Sequence, residues 1–358
     1  MGRLLIYIKS LLLTLCFVSI YNYALDRTII KAESPPTVVF VDHPITQSIP
    51  VTKPLVYAKL DVERMPNTYE LPLTHATNPI PISFVTVPRS FDNPEIASHQ
   101  LAAIHTWNMQ DGGKHNEIML MTREANNSIC HVARTHHYRC MDGVRTQYDI
   151  PLLDSVFQLA STHATHSIVC FINSDIGLPP GWYASLLPLL QWVITQERPF
   201  LIAGPRLEFQ SNTVWIPDQM PWHTFKTQHM NPTLGVHYAP VNDRAIDWFL
   251  FYRGTFVDDM PPFLIGRYTW DSWMLHHALR RRWLTIHTLE HPRLFGMHWD
   301  HSRAHHDAQR SLRNINTQLA ENHGGYHRGR LQNLALSYQA CGTTNRNFKY
   351  CLKKATIL

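Results

Sequence analysis

The chain has 358 residues, 44% of them hydrophobic and 16% charged, with a formal net charge of +5. That length and apolar content suffice for one large core or two fused ones. Lysines and arginines are dispersed except at Arg280-Arg281-Arg282, so the basic stripe of a nucleic-acid binder is missing and no such partner is expected.

The first segment with a physical signature is apolar. Arg3 and Lys9 precede or interrupt it, and residues 11–25 read "LLLTLCFVSIYNYAL". Counted back across Lys9 to Leu4, it is about long enough to span a bilayer, with Lys9 snorkelling to the surface. The flanking positives favour a cytoplasmic N-terminus. Two readings of 1–25 stay open: a transmembrane signal anchor, preferred because no clean A-x-A precedes a cut, or a cleaved signal peptide. Either delivers the rest of the chain to a secretory lumen, where disulfides form.

Residues 26–80 are rich in Pro and Thr and lack a helical period, which suits an extended stem. From residue 82 the pattern changes. "ISFVTVP", "EIMLMT", "SIVCFI" and "FLIAGPRL" read as strands, while "PEIASHQLAAIHTWN", "IPLLDSVFQLASTHA" and "GWYASLLPLLQWVI" read as helices, the last with Pro188 as a kink or early break. Alternation of this kind predicts an α/β domain with a mostly parallel sheet. Cysteines ten apart at Cys130/Cys140 and Cys341/Cys351 suit two local loops, leaving Cys170 as a buried thiol. The sequon Asn126-Asn127-Ser128 offers one glycosylation site.

Three places carry candidate chemistry. The strand "SIVCFI" ends abruptly on Asn173-Ser174-Asp175, at the kind of strand end where open α/β sheets bind ligands. Asp175 there can take Mg2+ or Mn2+, or simply cap a turn that Asn173 stabilises. Further on, "IDWFLFYRG" is an apolar strand begun by Asp247, and "PPFLIGRYTWDSWML" leads through Gly266-Arg267 into a helix. Asp271 falls in its first turn between Trp270 and Trp273. That is either a sugar-receiving carboxylate between stacking rings or an ordinary helix-start residue. Last, "FGMHWDHSRAHH" spaces His298, His301 and His305 three and four apart, which suits a shared metal or a solvated loop in a chain with 23 histidines. The glutamate of H-E-x-x-H is missing, as are a G-x-S-x-G elbow and a Walker loop.

Taken in order, "VTVPRSF" (85–91), "LLDSVFQLA" (152–160), "CFINSDIGL", "IDWFLFYRGTF…MPPFLIGRYTWDSWM" and "HWDHSRAH" (298–305) resemble the GT-A-fold glycosyltransferases. The likeness is to a group with N-A/S-D in place of D-x-D and a G-R-x-x-W-D-x-W motif, and it covers residues 82 to about 306. It implies a GT-A-like α/β domain at 81–310; an extension at 311–358, with the Cys341–Cys351 loop that the spacing suits, would follow it. It implies a nucleotide-sugar donor, a glycan, protein or lipid acceptor, and a Mn2+ or Mg2+ ion. Asp175 would hold the metal, with His298, His301 or His305 as further ligands. Pro88, Arg89, Asn173 and Ser174 would lie by the donor. Asp271 would be the acceptor-binding carboxylate or general base, with Trp270, Trp273 and Arg267 on the acceptor side. Asp154 matches the group's helix, where a cap or an ion pair is the alternative to a functional role. Anchor and stem resemble the layout of Golgi enzymes, which implies a single-pass type II protein of the Golgi or endoplasmic reticulum membrane. Two rivals stand beside this reading. One is a glycan-binding protein that kept the fold and lost catalysis, using Trp270, Trp273 and Trp299. The other is a metal hydrolase built on the His cluster. Residues 209–242 match nothing in the resemblance.

Overall fold

The computed structural model describes residues 64–71, 79–110, 115–208, 243–298, 312–344 and 347–354. All of them belong to one compact unit, Leu55–Leu358. The expected anchor, nearly all of the stem, the segment 209–242, Trp299, His301 and His305 lie outside the described residues. No helix among the described residues is long and apolar enough to cross a membrane.

In chain order the strands are β1 (Thr68–Glu70), β2 (Ile82–Thr86), β3 (Glu117–Met121), β4 (Arg139–Met141), β5 (Thr146–Gln147), β6 (Ile150–Pro151), β7 (Ile168–Ile172), β8 (Ile176–Gly177), β9 (Phe200–Glu208), β10 (Ile246–Tyr252), β11 (Leu284–His287), β12 (Gly296–His298), β13 (Leu336–Thr344) and β14 (Asn347–Lys354). Between them run the helices α1 (Pro94–Asn108), α2 (Ser128–Thr135), α3 (Leu153–His163), α4 (Trp182–Thr195), α5 (Trp270–Arg280) and α6 (Arg313–Asn322). Helix α1 starts where Asn93 accepts from the amides of Glu95 and Ile96, with Pro94 at its first position. Helix α4 continues through Pro188, where a kink or break was expected.

The main path of the sheet runs β1-β14-β13-β11-β9-β10-β7-β2-β3-β4. Strand β7 shows why it is buried on both faces. Ile168, Cys170 and Ile172 pack into one core with Ile104 and Trp107 of α1 and Leu186 and Leu190 of α4. Val169 and Phe171 pack into the other with Val156 and Phe157 of α3 and Met274 and Leu275 of α5. Helices therefore cover both faces, which is why the strands read as unbroken apolar runs.

The sheet is mixed rather than uniformly parallel. Strands β2, β3, β4 and β7 are mutually parallel, as are β9, β11 and β13, but β10 enters antiparallel to both β7 and β9. Its first residues therefore lie beside the last residues of its neighbours. Two strands of the expected C-terminal extension join this sheet. Strand β13 pairs in parallel with β11, β14 returns antiparallel along it, and β1 adds to β14. Both expected disulfides are present, Cys130–Cys140 and Cys341–Cys351, and Cys170 is buried and free.

Candidate functional site

The antiparallel entry of β10 builds the site. Asn173 follows the last residue of β7, and Asp247 is the second residue of β10; their backbones are joined by Asn173 N donating to Asp247 O at 3.1 Å. The side chains meet as well, with Asn173 Nδ2 donating to Asp247 Oδ1 at 2.7 Å. Arg206, near the end of β9, places Nη1 3.1 Å from both oxygens of Asp247. Asp247 is 4% exposed, so its charge is held by a guanidinium and an amide rather than by water.

Asp175 lies two residues on, its side chain a quarter exposed and its Oδ2 3.4 Å from His298 Nε2. Burial pushes this carboxyl up, but the hydrogen bond and charge of His298 and the charge of Arg89 outweigh it and hold it below the usual range. His298 arrives through β12, which pairs His298 with Ile176 of β8. That pairing needs Gly296, because a Cβ there would sit 2.4 Å from Ile176 Cγ2.

Asp271 opens α5, where Thr269 takes φ = 92°, a strained value for a β-branched residue. Burial is the main force on its carboxyl, and the nearby Asp247 anion adds to it. Together they outweigh the Ser272 amide and Arg206, and push the carboxyl up to about 6. Asp271 is thus linked electrostatically to Asp247 and Arg206, and is itself the carboxyl raised toward neutrality.

Pro88 is buried on the exit of β2, and Arg89 next to it is half-buried. Ser174 is 8% exposed, and its hydroxyl donates to Gln100 Oε1 at 2.7 Å. Arg267 is half-buried and donates from Nη1 to Gly266 O at 3.0 Å. Asp154 forms an ion pair with Arg145.

Trp270 and Trp273 depart from expectation. They are 5% and 1% exposed. Trp270 sits edge-on to Phe171 and tilted on Phe249, and Trp273 packs on Phe263 and stacks on His277. Helical spacing turns both indoles inward to the sheet while Asp271 between them stays partly open, so neither offers a face to a sugar.

Asp247, Arg206 and Gln100, whose side chains bond into this candidate site, were not singled out as site residues in the sequence. The available signals were a carboxylate at the head of an apolar strand, an arginine at the tail of another, and a primary amide on the inner face of a helix.

No family model matches this chain, and no curated protein does. Among solved structures it is similar to glucosyl-3-phosphoglycerate synthase from Mycobacterium tuberculosis in complex with Mn2+, UDP and phosphoglyceric acid. That match is 14% identical, covers 79% of this chain and 89% of that one, and has a TM-score of 0.40. The same enzyme with Mn2+, UDP-glucose and phosphoglyceric acid matches at 15% identity over 70% and 81%, TM-score 0.39. Mannosyl-3-phosphoglycerate synthase from Rubrobacter xylanophilus matches at 14% identity over 78% and 88%, TM-score 0.39. Similarity at this level is loose, and the functional reading rests on the site.

Proposed function

We propose that this chain is a divalent-metal-dependent glycosyltransferase with a GT-A-like fold, moving a sugar from a nucleotide-sugar donor to a glycan or glycoconjugate acceptor. The observation that carries the reading is the polar end of β7, where Asp175 lies 3.4 Å from His298 and Asn173 hydrogen-bonds Asp247. Asp175 is kept ionised beside His298, and Asp271 is raised to about 6 near Asp247. Carboxyls pushed apart in this way divide into a charge-holding and a proton-handling role.

The side chains suit a metal. A carboxylate (Asp175), an imidazole (His298) and the amide carbonyl of Asn173 form a donor set compatible with Mn2+ or Mg2+. Among the described residues no cluster of three or more His, Cys, Asp or Glu forms, so donor oxygens and water would complete the shell. Such an ion, when bound, neutralises a leaving diphosphate. Arg89 adds a positive charge beside Asp175, where the donor's phosphates would lie. In an inverting reaction Asp271 takes the proton of the acceptor hydroxyl, which a carboxylate titrating near 6 can do at neutral pH. In a retaining reaction it only holds that hydroxyl.

A lumenal, type II placement in the Golgi or endoplasmic reticulum accords with the two disulfides and with the apolar N-terminal run. The burial of Trp270 and Trp273 withdraws two of the three indoles on which a non-catalytic glycan-binding protein would rely; the third, Trp299, lies outside the described residues.

Calorimetric titration of the full-length protein with UDP, GDP and CMP, with and without Mn2+, tests the reading. Mn2+-dependent binding that Asp175→Ala abolishes is expected. Failure to bind UDP, GDP or CMP under either condition would overturn it.

A further inference from the structure

We propose that Gln100 is a positioning residue that sets the spacing between Arg89 and Asp175, and with it the affinity for a metal–nucleoside diphosphate. The inference rests on the transferase reading and deepens it.

Gln100 lies in α1 and is completely buried, at 0% exposure. A buried primary amide needs partners for both ends, and here they come from two separate segments. Its Oε1 accepts from Arg89 N at 2.7 Å and from Ser174 Oγ at 2.7 Å, while its Nε2 donates to Arg89 O at 3.1 Å. The amide thus pairs with the backbone of Arg89 much as a neighbouring strand would. A flipped amide would set N–H against N–H and oxygen against oxygen, so the orientation is unique. One side chain clamps the β2 exit loop to the Asn-Ser-Asp turn.

That clamp sits where the donor would bridge. A nucleoside diphosphate engaging a metal at Asp175 and a cation at Arg89 spans the two clamped segments, and binding shells lose affinity when loosened by about 1 Å. Ser174 gains a specific task, since its hydroxyl supplies the turn's half of the clamp. Helix α1 is docked without Gln100. Trp107 Nε1 donates to Ile176 O at 2.7 Å, and Leu178 N donates to Thr106 Oγ1 at 2.7 Å. Loss of Gln100 therefore removes the tie between the Arg89 backbone and the Asn-Ser-Asp turn, while the helix stays in place.

The test uses Gln100→Met, Gln100→Glu and Ser174→Ala in the full-length protein. It reads Mn2+-dependent affinity for whichever nucleotide the wild type binds, with thermal unfolding recorded alongside. With hydrogen bonds of ordinary net strength lost, Gln100→Met should bind about tenfold more weakly, and Ser174→Ala several-fold more weakly. Gln100→Glu, whose carboxyl accepts the same two hydrogen bonds and when protonated returns the third, should recover part of the loss. A merely structural glutamine would lower the unfolding temperature and leave affinity in the folded protein unchanged. A folded Gln100→Met with wild-type affinity overturns the proposal. If Gln100→Met does not fold, unchanged affinity in Ser174→Ala overturns it instead. Absence of nucleotide binding in the wild type removes the transferase reading and this inference together, and that failure is distinct because it shows before any substitution.

Discussion

The side-chain amide of Asn173 donates to Asp247 Oδ1 at 2.7 Å, so its nitrogen end is committed inward and its carbonyl end is turned away from Asp247. An aspartate at 173 would instead set a carboxylate against a carboxylate. The amide thus has a structural reason to stand where a D-x-D motif has its first acid.

Asn173→Asp is accordingly expected to destabilise the fold by about 1–3 kcal/mol at neutral pH, through the lost hydrogen bond and like-charge contact. Repulsion raises the carboxyl affinity for protons in the folded state, so the deficit should shrink as pH falls and the pair shares a proton. Thermal unfolding of the full-length variant between pH 4 and 8 reads this directly. A deficit independent of pH would refute it.

Asp271 is expected to affect stability and its proposed role in catalysis in opposite directions. Its carboxyl titrates at about 6 in the fold against an ordinary 3.8, so the folded state holds the proton more tightly than the unfolded chain. Ionisation above that range works against folding. Asp271→Asn should therefore raise the unfolding temperature at pH 7.5 and bring no gain near pH 4. In an inverting enzyme it should cut turnover by roughly 10²–10⁴-fold, and wild-type turnover should rise with pH through about 6.

Gly296 tests the route by which His298 reaches Asp175. Added bulk opposite Ile176 costs about 1–3 kcal/mol and should push β12 off β8. Gly296→Ala is expected to weaken Mn2+ binding although Asp175, His298 and Asn173 all remain, and Ile176→Ala in the same chain should restore part of it. Titration of Mn2+ into the single and double variants decides the matter; no loss in Gly296→Ala would count against the route.

Trp273 belongs to the core. Its truncation to Ala should lower the free energy of unfolding by about 3–5 kcal/mol, with nucleotide affinity per folded molecule unchanged. Denaturant titration beside calorimetry separates the two effects. A selective loss of acceptor binding at unaltered stability would return Trp273 to the site.

Much of the fold was legible because its signals are local. The unbroken apolar run before Asn173 marks a strand buried on both faces, and the polar stop after it marks a sheet edge. The cysteine pairs ten apart close loops short enough to be read from spacing. The direction of β10 was not legible, since an apolar strand buried on both sides carries no mark of whether its neighbours run with or against it. The same holds for 311–358, whose pairing with β11 is a contact between distant segments.

At the site, the sequence by itself determined which polar residues end which strands: Asn173 to Asp175 after β7, Arg206 near the end of β9, Asp247 at the head of β10. Only the tertiary structure decided that these ends meet, because β10 runs antiparallel and brings its first residues beside the last ones of its neighbours. Only it decided that Trp270 and Trp273 face inward, since the side of a helix that is buried depends on what the helix packs against. Gln100 reads in the chain as one more polar residue of a helix. It becomes a clamp because a buried amide must find partners, and the fold supplies them from two separate segments.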